Sequence, residues 1–108
     1  MTFEIHPREA HPLLEAGEAV ALDVREAHEW LHGHIPDALH IPLGQLGARL
    51  HELPSGRRIV AVCRSGARSG SIVHALRDRG FDVVNLDGGL ETWHASGLPL
   101  EPAHGTVV

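Results

Sequence analysis

Lysine and tyrosine are absent from this chain, and cysteine occurs once. All nine basic residues are therefore arginine. No second thiol exists for an internal disulfide or a C-x-x-C redox pair, and a solitary cysteine fits a reducing compartment. No apolar segment approaches the length that crosses a bilayer. The first ten residues, M-T-F-E-I-H-P-R-E-A, carry charges and no apolar stretch of signal-peptide length. The sequence thus predicts a soluble, cytoplasmic protein with no membrane partner. Acidic residues are missing from one window in particular: Pro54 to Arg77 holds five arginines (57, 58, 64, 68 and 77) and no Asp or Glu. The formal net charge of the chain is -5, so this window carries +5 and the remainder -10. Local positive charge on an acidic protein favours a small anion, not a nucleic acid or a lipid surface.

The lone cysteine lies inside that window, in I-V-A-V-C-R-S-G-A-R-S-G-S-I-V-H-A-L at residues 59–76. Residues 59–62 are an uninterrupted apolar run, the pattern of a strand buried on both faces of a parallel sheet. Ile72, Val73 and Leu76 then recur at helical spacing, with Gly80 as a C-terminal cap. Cys63 is expected at the carboxyl end of a parallel strand, facing the crevice where open α/β sheets bind ligands. The unpaired N–H groups of the following helix turn toward the same point. Those of Arg64 to Arg68 are expected to curve around the sulfur as an anion-binding nest, with Gly66 permitting the tight bend. Such surroundings favour the thiolate. Arg64 and Arg68 flank the thiol within the loop, where they serve an anionic substrate or stand as solvated residues. Arg57 and Arg58 read as surface.

The 108 residues suit one domain, 1–108, and a 43% hydrophobic content can close a small core. Residues 3–5 read as a short edge strand. Pro7 opens a helix with Ala10, Leu13 and Leu14 on its apolar face and Gly17 at its end. Residues 19–24 form a second buried strand containing Asp23 and running into Arg25, a pair that reads as an ordinary surface pair from the residues alone. A short helix over 26–31, a turn at Gly33, and a brief strand over 39–41 follow, the last bounded by Pro36 and Pro42. Leu43, Leu46 and Leu50 mark another amphipathic helix before Pro54-Ser55-Gly56. After the cysteine region come a strand over 83–86, the turn Asp87-Gly88-Gly89, and a helix carrying Leu90 and Trp93 up to Gly97. Strands alternating with helices predict a parallel sheet of about five short strands covered on both faces. Trp30 and Trp93 sit at amphipathic positions as core or rim residues. The tail from Pro99 drapes on the surface or frays.

Ten histidines raise the question of a metal. His32 and His34, the closest pair, lie in a turn beside no cysteine or carboxylate cluster with zinc spacing. The reading is surface histidines, no metal and no cofactor. His74 follows Cys63 by eleven residues. That is about 15 Å along a helix, too far for direct Cys-His proton transfer.

Four motifs occur in order: D-V-R-E at residues 23–26, G-H-I-P at 33–36, C-R-S-G-A-R-S at 63–69 and L-D-G-G-L-E-T-W at 86–93. In this order and spacing they resemble the single-domain rhodaneses, over essentially the whole chain. The resemblance implies a rhodanese-like three-layer α/β fold and a sulfurtransferase activity. A Cys63 thiolate would take the sulfane sulfur of thiosulfate or a similar anionic donor, itself sometimes a persulfide, and hold it as a persulfide. Cyanide, a thiol, or a sulfur-accepting protein would then remove it. Arg64, Ser65, Gly66, Ala67, Arg68 and Ser69 would surround the substrate, with Asp23 near the base of the loop helping to hold it and Arg25 beside it. Asp37 stands where the family often has Gly, and Gly70 opens the helix where Ala is common. Neither position is expected to touch the sulfur chemistry.

Other readings stay open. A cysteine phosphatase or arsenate reductase also uses a Cys-to-Arg loop ahead of a helix. The phosphatases that share this fold use C-x5-R, whereas Arg68 makes C-x4-R here and position 69 is Ser. The shorter ring leaves room for a persulfide sulfur and cramps a tetrahedral phosphoryl group. A rhodanese-like binding module commonly lacks the thiol, which is present here. A protein-to-protein sulfur carrier would use thiosulfate only as a surrogate donor.

Overall fold

The apolar runs form the middle of the sheet in the computed structural model, which describes residues 3–108. Five parallel strands, β1 (Glu4–Ile5), β2 (Ala19–Asp23), β3 (Leu39–His40), β4 (Arg58–Val62) and β5 (Val83–Leu86), lie in the spatial order β1-β5-β4-β2-β3. The helices are α1 (Pro7–Glu15), α2 (Ala27–His32), α3 (Ala67–Gly70), α4 (Val73–Asp78) and α5 (Gly89–Ala95). Side chains alternate across a strand, so the central β4 feeds two cores. Val60 and Val62 point to the layer of α1 and α5, where Ala10, Leu90 and Trp93 meet them. Ile59, Ala61 and, one step beyond the strand, Cys63 point to the other layer, with Leu22 of β2 and Val73 and Leu76 of α4. Leu22 and Ile59 are fully buried, and each contributes roughly 1.5–3 kcal/mol through apolar burial. This is a three-layer α/β architecture with the thiol at the carboxyl end of its central strand. No helix among the described residues is long and apolar enough to cross a membrane.

Two predicted helices take a different form. Residues 43–52 make two 3-10 helices, Leu43–Gln45 and Gly47–Glu52, not one α-helix. Leu43 and Leu46 are three residues apart, which suits the three-residue turn of that helix, and the step from Leu46 to Leu50 is absorbed by non-helical backbone at Arg49. Gly44 and Gly47 further weaken the α-helical alternative. The helix after the cysteine is broken into α3 and α4. The Ser71 hydroxyl donates back to the Arg68 carbonyl at 2.6 Å, and Ile72 lies at the joint with φ -107°. Gly70 therefore closes α3 and does not open a long helix.

The segment after Pro99 is tied down. His34 and Glu101 exchange backbone hydrogen bonds at 3.0 and 2.8 Å, and the Thr106 N–H donates to the His32 carbonyl at 2.9 Å. A Cβ at Gly33 would stand 2.7 Å from the Thr106 carbonyl oxygen, so the glycine of G-H-I-P makes room for this strap. Asp37 takes φ +62°, a left-handed conformation that Asp tolerates better than most L residues and Gly better still.

Candidate active site

Cys63 is 1% exposed, and its sulfur collects donors from the loop behind it. The Gly66 N–H donates to Sγ at 3.1 Å and the Ser69 N–H at 3.4 Å, while the Ser69 hydroxyl oxygen lies 3.3 Å away. Gly66 reaches this geometry with φ +98°, a conformation open to glycine. Burial pushes the thiol up, but the Ser69 hydroxyl and the backbone N–H groups of Ser69, Gly66 and Ser65 outweigh it, so Cys63 ionises below its ordinary range. The donors are individual groups of the loop and of the four-residue α3, and no long helix lies behind them. Arg64, Ser65 and Ala67 form an exposed rim above the sulfur.

The D-G-G-L-E turn holds this loop from the other side. The first N–H groups of α5 are spent on it: Leu90 donates to the Cys63 carbonyl at 2.9 Å and Glu91 to the Arg64 carbonyl at 3.0 Å. A Cβ at Gly89 would lie 2.6 Å from the Cys63 carbonyl oxygen, so only glycine permits the approach.

The two loop arginines part company. Arg68 forks onto Glu29 of α2, Nη1 to Oε1 at 2.8 Å and Nη2 to Oε2 at 2.7 Å. Arg64 is 54% exposed, with its Nε 4.0 Å from Glu91 Oε1, and is the less committed of the two. Glu29 also accepts the Glu26 N–H at 3.0 Å. Its hydrogen bonds from Arg68 hold its carboxyl at about 2, against an ordinary 4.5 and despite burial, with help from the Glu26 N–H and the charges of Arg68 and Arg25.

A lowered carboxylate pKa stabilises the folded state above the unfolded value, and that contribution is lost as pH falls through the folded value. Glu29→Gln is therefore expected to be less stable than the native chain at neutral pH, with the gap closing as pH drops from 4.5 toward about 2. Urea unfolding of both proteins across that range measures it. A gap that stays constant down to pH 2 would show that the ion pair carries no linkage.

Asp23 and Arg25 are no surface pair: they are 1% and 0% exposed. Arg25 Nε donates to Oδ1 of Asp23 at 2.9 Å and Nη2 to Oδ2 at 2.8 Å. The guanidinium also donates to the carbonyls of Glu29 at 3.3 Å and Gly33 at 2.8 Å. Asp23 stands in register with Val62, next to Cys63, through the sheet, and the side chains of the pair reach the loop through α2, whose Glu29 carboxylate holds Arg68.

Two polar side chains at the site lie outside the residues that the sequence assigns to it. Glu29 is one, and Asn85 of β5 is the other. The Asn85 Nδ2 donates to the Gly66 carbonyl at 2.9 Å, and its Oδ1 lies 2.6 Å from the Ser69 hydroxyl. Gly70 belongs here too, since a Cβ on it would stand 3.1 Å from Asn85 Nδ2. That position, expected to lie apart from the sulfur chemistry, packs against the amide beneath it. His74 is edge-on to Phe3, and Trp30 stacks with His34 and with His40. A cavity of about 250 Å³ lined by His11, Trp93 and Asp37 lies on the α1/α5 side, the face of the sheet opposite Cys63.

Fold and site together define a three-layer α/β domain that presents one buried, readily ionised thiol in a short backbone nest. The chain belongs to the rhodanese-like domain family, whose model matches residues 6–96. It is 33% identical over 102 residues to a thiosulfate sulfurtransferase of Actinobacillus pleuropneumoniae, covering 94% of each chain. It is 43% identical over 89 residues to an HTH-type transcriptional regulator of Mycobacterium tuberculosis, covering 81% of this chain and spanning only 39% of that protein. A crystal structure of a rhodanese-related protein from Thermoplasma volcanium superposes with a TM-score of 0.85 at 28% identity, over 91% of this chain and 96% of the other.

Proposed function

We propose that this chain is a sulfurtransferase that carries sulfane sulfur as a persulfide on Cys63. The observation that supports it most directly is the set of loop donors converging on one sulfur: the N–H groups of Gly66 and Ser69 at 3.1 and 3.4 Å. These groups suit a small, single-atom anion. In the first half-reaction the Cys63 thiolate attacks the outer sulfur of thiosulfate. An S–S bond forms, the bond to the sulfonate breaks, and its electron pair leaves with sulfite. In the second, cyanide or a thiolate attacks the terminal sulfur and the Cys63 thiolate departs. With no second cysteine in the chain, the acceptor comes from outside. The half-exposed Arg64 meets the charge of the donor at the rim, and Arg68, braced by Glu29, holds the far side of the loop. Thiosulfate as donor draws on the Actinobacillus relative, which carries that activity in its name.

Phosphate chemistry fits less well. The arginine that would grip a phosphoryl group is already forked onto Glu29, and the C-x4-R ring is one residue short. Intact mass measurement after incubation with thiosulfate tests the proposal. The protein is expected to gain one sulfur atom, to lose it to cyanide or a thiol, and to leave aryl phosphates untouched. Turnover of an aryl phosphate with no persulfide detectable would overturn it.

A further inference from the structure

The Ser69 hydroxyl stands within hydrogen-bonding range of two acceptors but has one proton. The Cys63 sulfur is 3.3 Å away and Asn85 Oδ1 is 2.6 Å away. The orientation of the Asn85 amide is fixed independently, because the Gly66 carbonyl accepts only and must face Nδ2, at 2.9 Å. Oδ1 is thereby aimed at the hydroxyl as an acceptor. Ser69 and Asn85 are 0% and 4% exposed, so no bulk water competes for either group. Gly66 and Gly70 form the seat of the amide: a Cβ on either would lie 3.5 or 3.1 Å from Nδ2.

We propose that Asn85 is a positioning residue that controls where the single Ser69 proton is placed and, through it, the charge state of the Cys63 sulfur. With Cys63 a thiol, the hydroxyl donates to Asn85 across the shorter distance and can accept from the S–H. When the thiol proton leaves to solvent, the hydroxyl proton turns to the sulfur anion, and Oδ1 is left buried without a donor. Asn85 thus opposes the empty thiolate. Once a persulfide forms, the negative charge moves to the terminal sulfur and the hydroxyl returns to Asn85. The amide therefore favours the sulfur-loaded protein over the empty anion. This last consequence rests on the sulfur-transfer reading above; the coupling of Asn85 to the thiol does not. The charged groups around the site, Asp23 and Arg25 at the end of β2, Glu29 on α2, Arg64 and Arg68 in the loop, Asp87 after β5 and Glu91 on α5, are common to every variant compared below.

The test is a double-mutant cycle read by ultraviolet titration of the thiolate. Asn85→Leu keeps the branched heavy-atom skeleton, at some cost in bulk, and removes the competing acceptor together with the donor to the Gly66 carbonyl. Its thiolate-to-thiol ratio at a given pH is expected to rise about fivefold over the native protein, the size of one ordinary hydrogen bond. Ser69→Ala is expected to titrate at higher pH. Adding Asn85→Leu to Ser69→Ala should move the titration no further, because no hydroxyl remains to redirect. An equal shift in both backgrounds would mean that Asn85 only shapes the loop, and would overturn the proposal.

A measurement on the native chain stands if Asn85→Leu does not fold. The Asn85 side-chain carbonyl carbon should titrate with Cys63 by NMR, and that response should vanish in Ser69→Ala. A response unchanged in Ser69→Ala again overturns it. Intact mass separates this inference from the function it deepens. Persulfide formation without the coupling removes Asn85 alone. The coupling without any persulfide removes sulfur transfer and leaves Asn85 in place.

Discussion

Cys63→Ser is expected to lose sulfur transfer completely while keeping its fold. Every turnover in the proposed cycle passes through an S–S bond on this residue, so no partial route survives. A serine hydroxyl is not ionised near neutral pH, even with the Gly66 and Ser69 N–H groups that stand 3.1 and 3.4 Å from the sulfur. The fold should tolerate the change. Cys63 lies at the end of β4, its carbonyl is held by Leu90 through the backbone, and the new hydroxyl can accept the same N–H bonds. A destabilisation of about 1–2 kcal/mol covers one buried polar atom with its hydrogen bonds largely met. Thiocyanate released from thiosulfate and cyanide should fall to the buffer background, and the mass gain should disappear. Substantial thiocyanate from a folded Cys63→Ser protein would remove Cys63 from the chemistry.

What the sequence disclosed and what it hid divide along local and non-local lines. β4 and β5 were legible because each is a run of four or five residues, rich in Val or Ile and flanked by turn residues, Pro54-Ser55-Gly56 before β4 and Asp87-Gly88-Gly89 after β5. The cysteine loop was legible because its residues are consecutive. Glu29 was not: it meets Arg68 from 39 positions away and reads in sequence as one more acid on a short polar helix. Asn85 did leave a signal, a polar residue within the apolar run V-V-N-L, and a buried amide there demands partners. The apolar spacing of Ile72, Val73 and Leu76 begins at the joint between α3 and α4, and Ala67-Arg68-Ser69-Gly70 carries none for a break to interrupt, so periodicity alone could not reveal it. Gly89 was visible as half of a turn. Its closeness to the Cys63 carbonyl, which makes it part of the site, exists only after folding. The tail had no local pattern at all, and its seat on Gly33 depends on a backbone approach that composition cannot encode.

Asp23→Ala is expected to destabilise the protein by about 3–5 kcal/mol, because it leaves a buried guanidinium without its hydrogen-bonded carboxylate, and the nearby Glu29 carboxylate is already forked onto Arg68. Arg25 is fully buried, and Asp23 supplies both carboxylate oxygens to it, besides accepting the Arg25 backbone N–H at 3.1 Å. The remaining partners of the guanidinium are the carbonyls of Glu29 and Gly33, which are neutral. A loss of this size is a large share of the 5–15 kcal/mol that holds a typical domain together. Asp23→Asn, which keeps one oxygen acceptor, should lose less and serves where the alanine variant does not fold. The damage should not be confined to stability. Arg25 pins the end of α2, and α2 carries the Glu29 carboxylate that braces Arg68, so native-state hydrogen exchange should speed up first over residues 26–33 and then in the cysteine loop. The double variant Asp23→Leu with Arg25→Met removes both charges and should recover much of the lost stability, as replacement of a buried ion pair by apolar groups often does. Even so, it would leave the Glu29 and Gly33 carbonyls without their donor, so sulfur transfer should recover less than stability. Denaturant unfolding at a constant m-value decides the first part. An Asp23→Ala protein within about 1 kcal/mol of the native chain would mean that water reaches Arg25 and that the buried pair contributes little to the frame of the site.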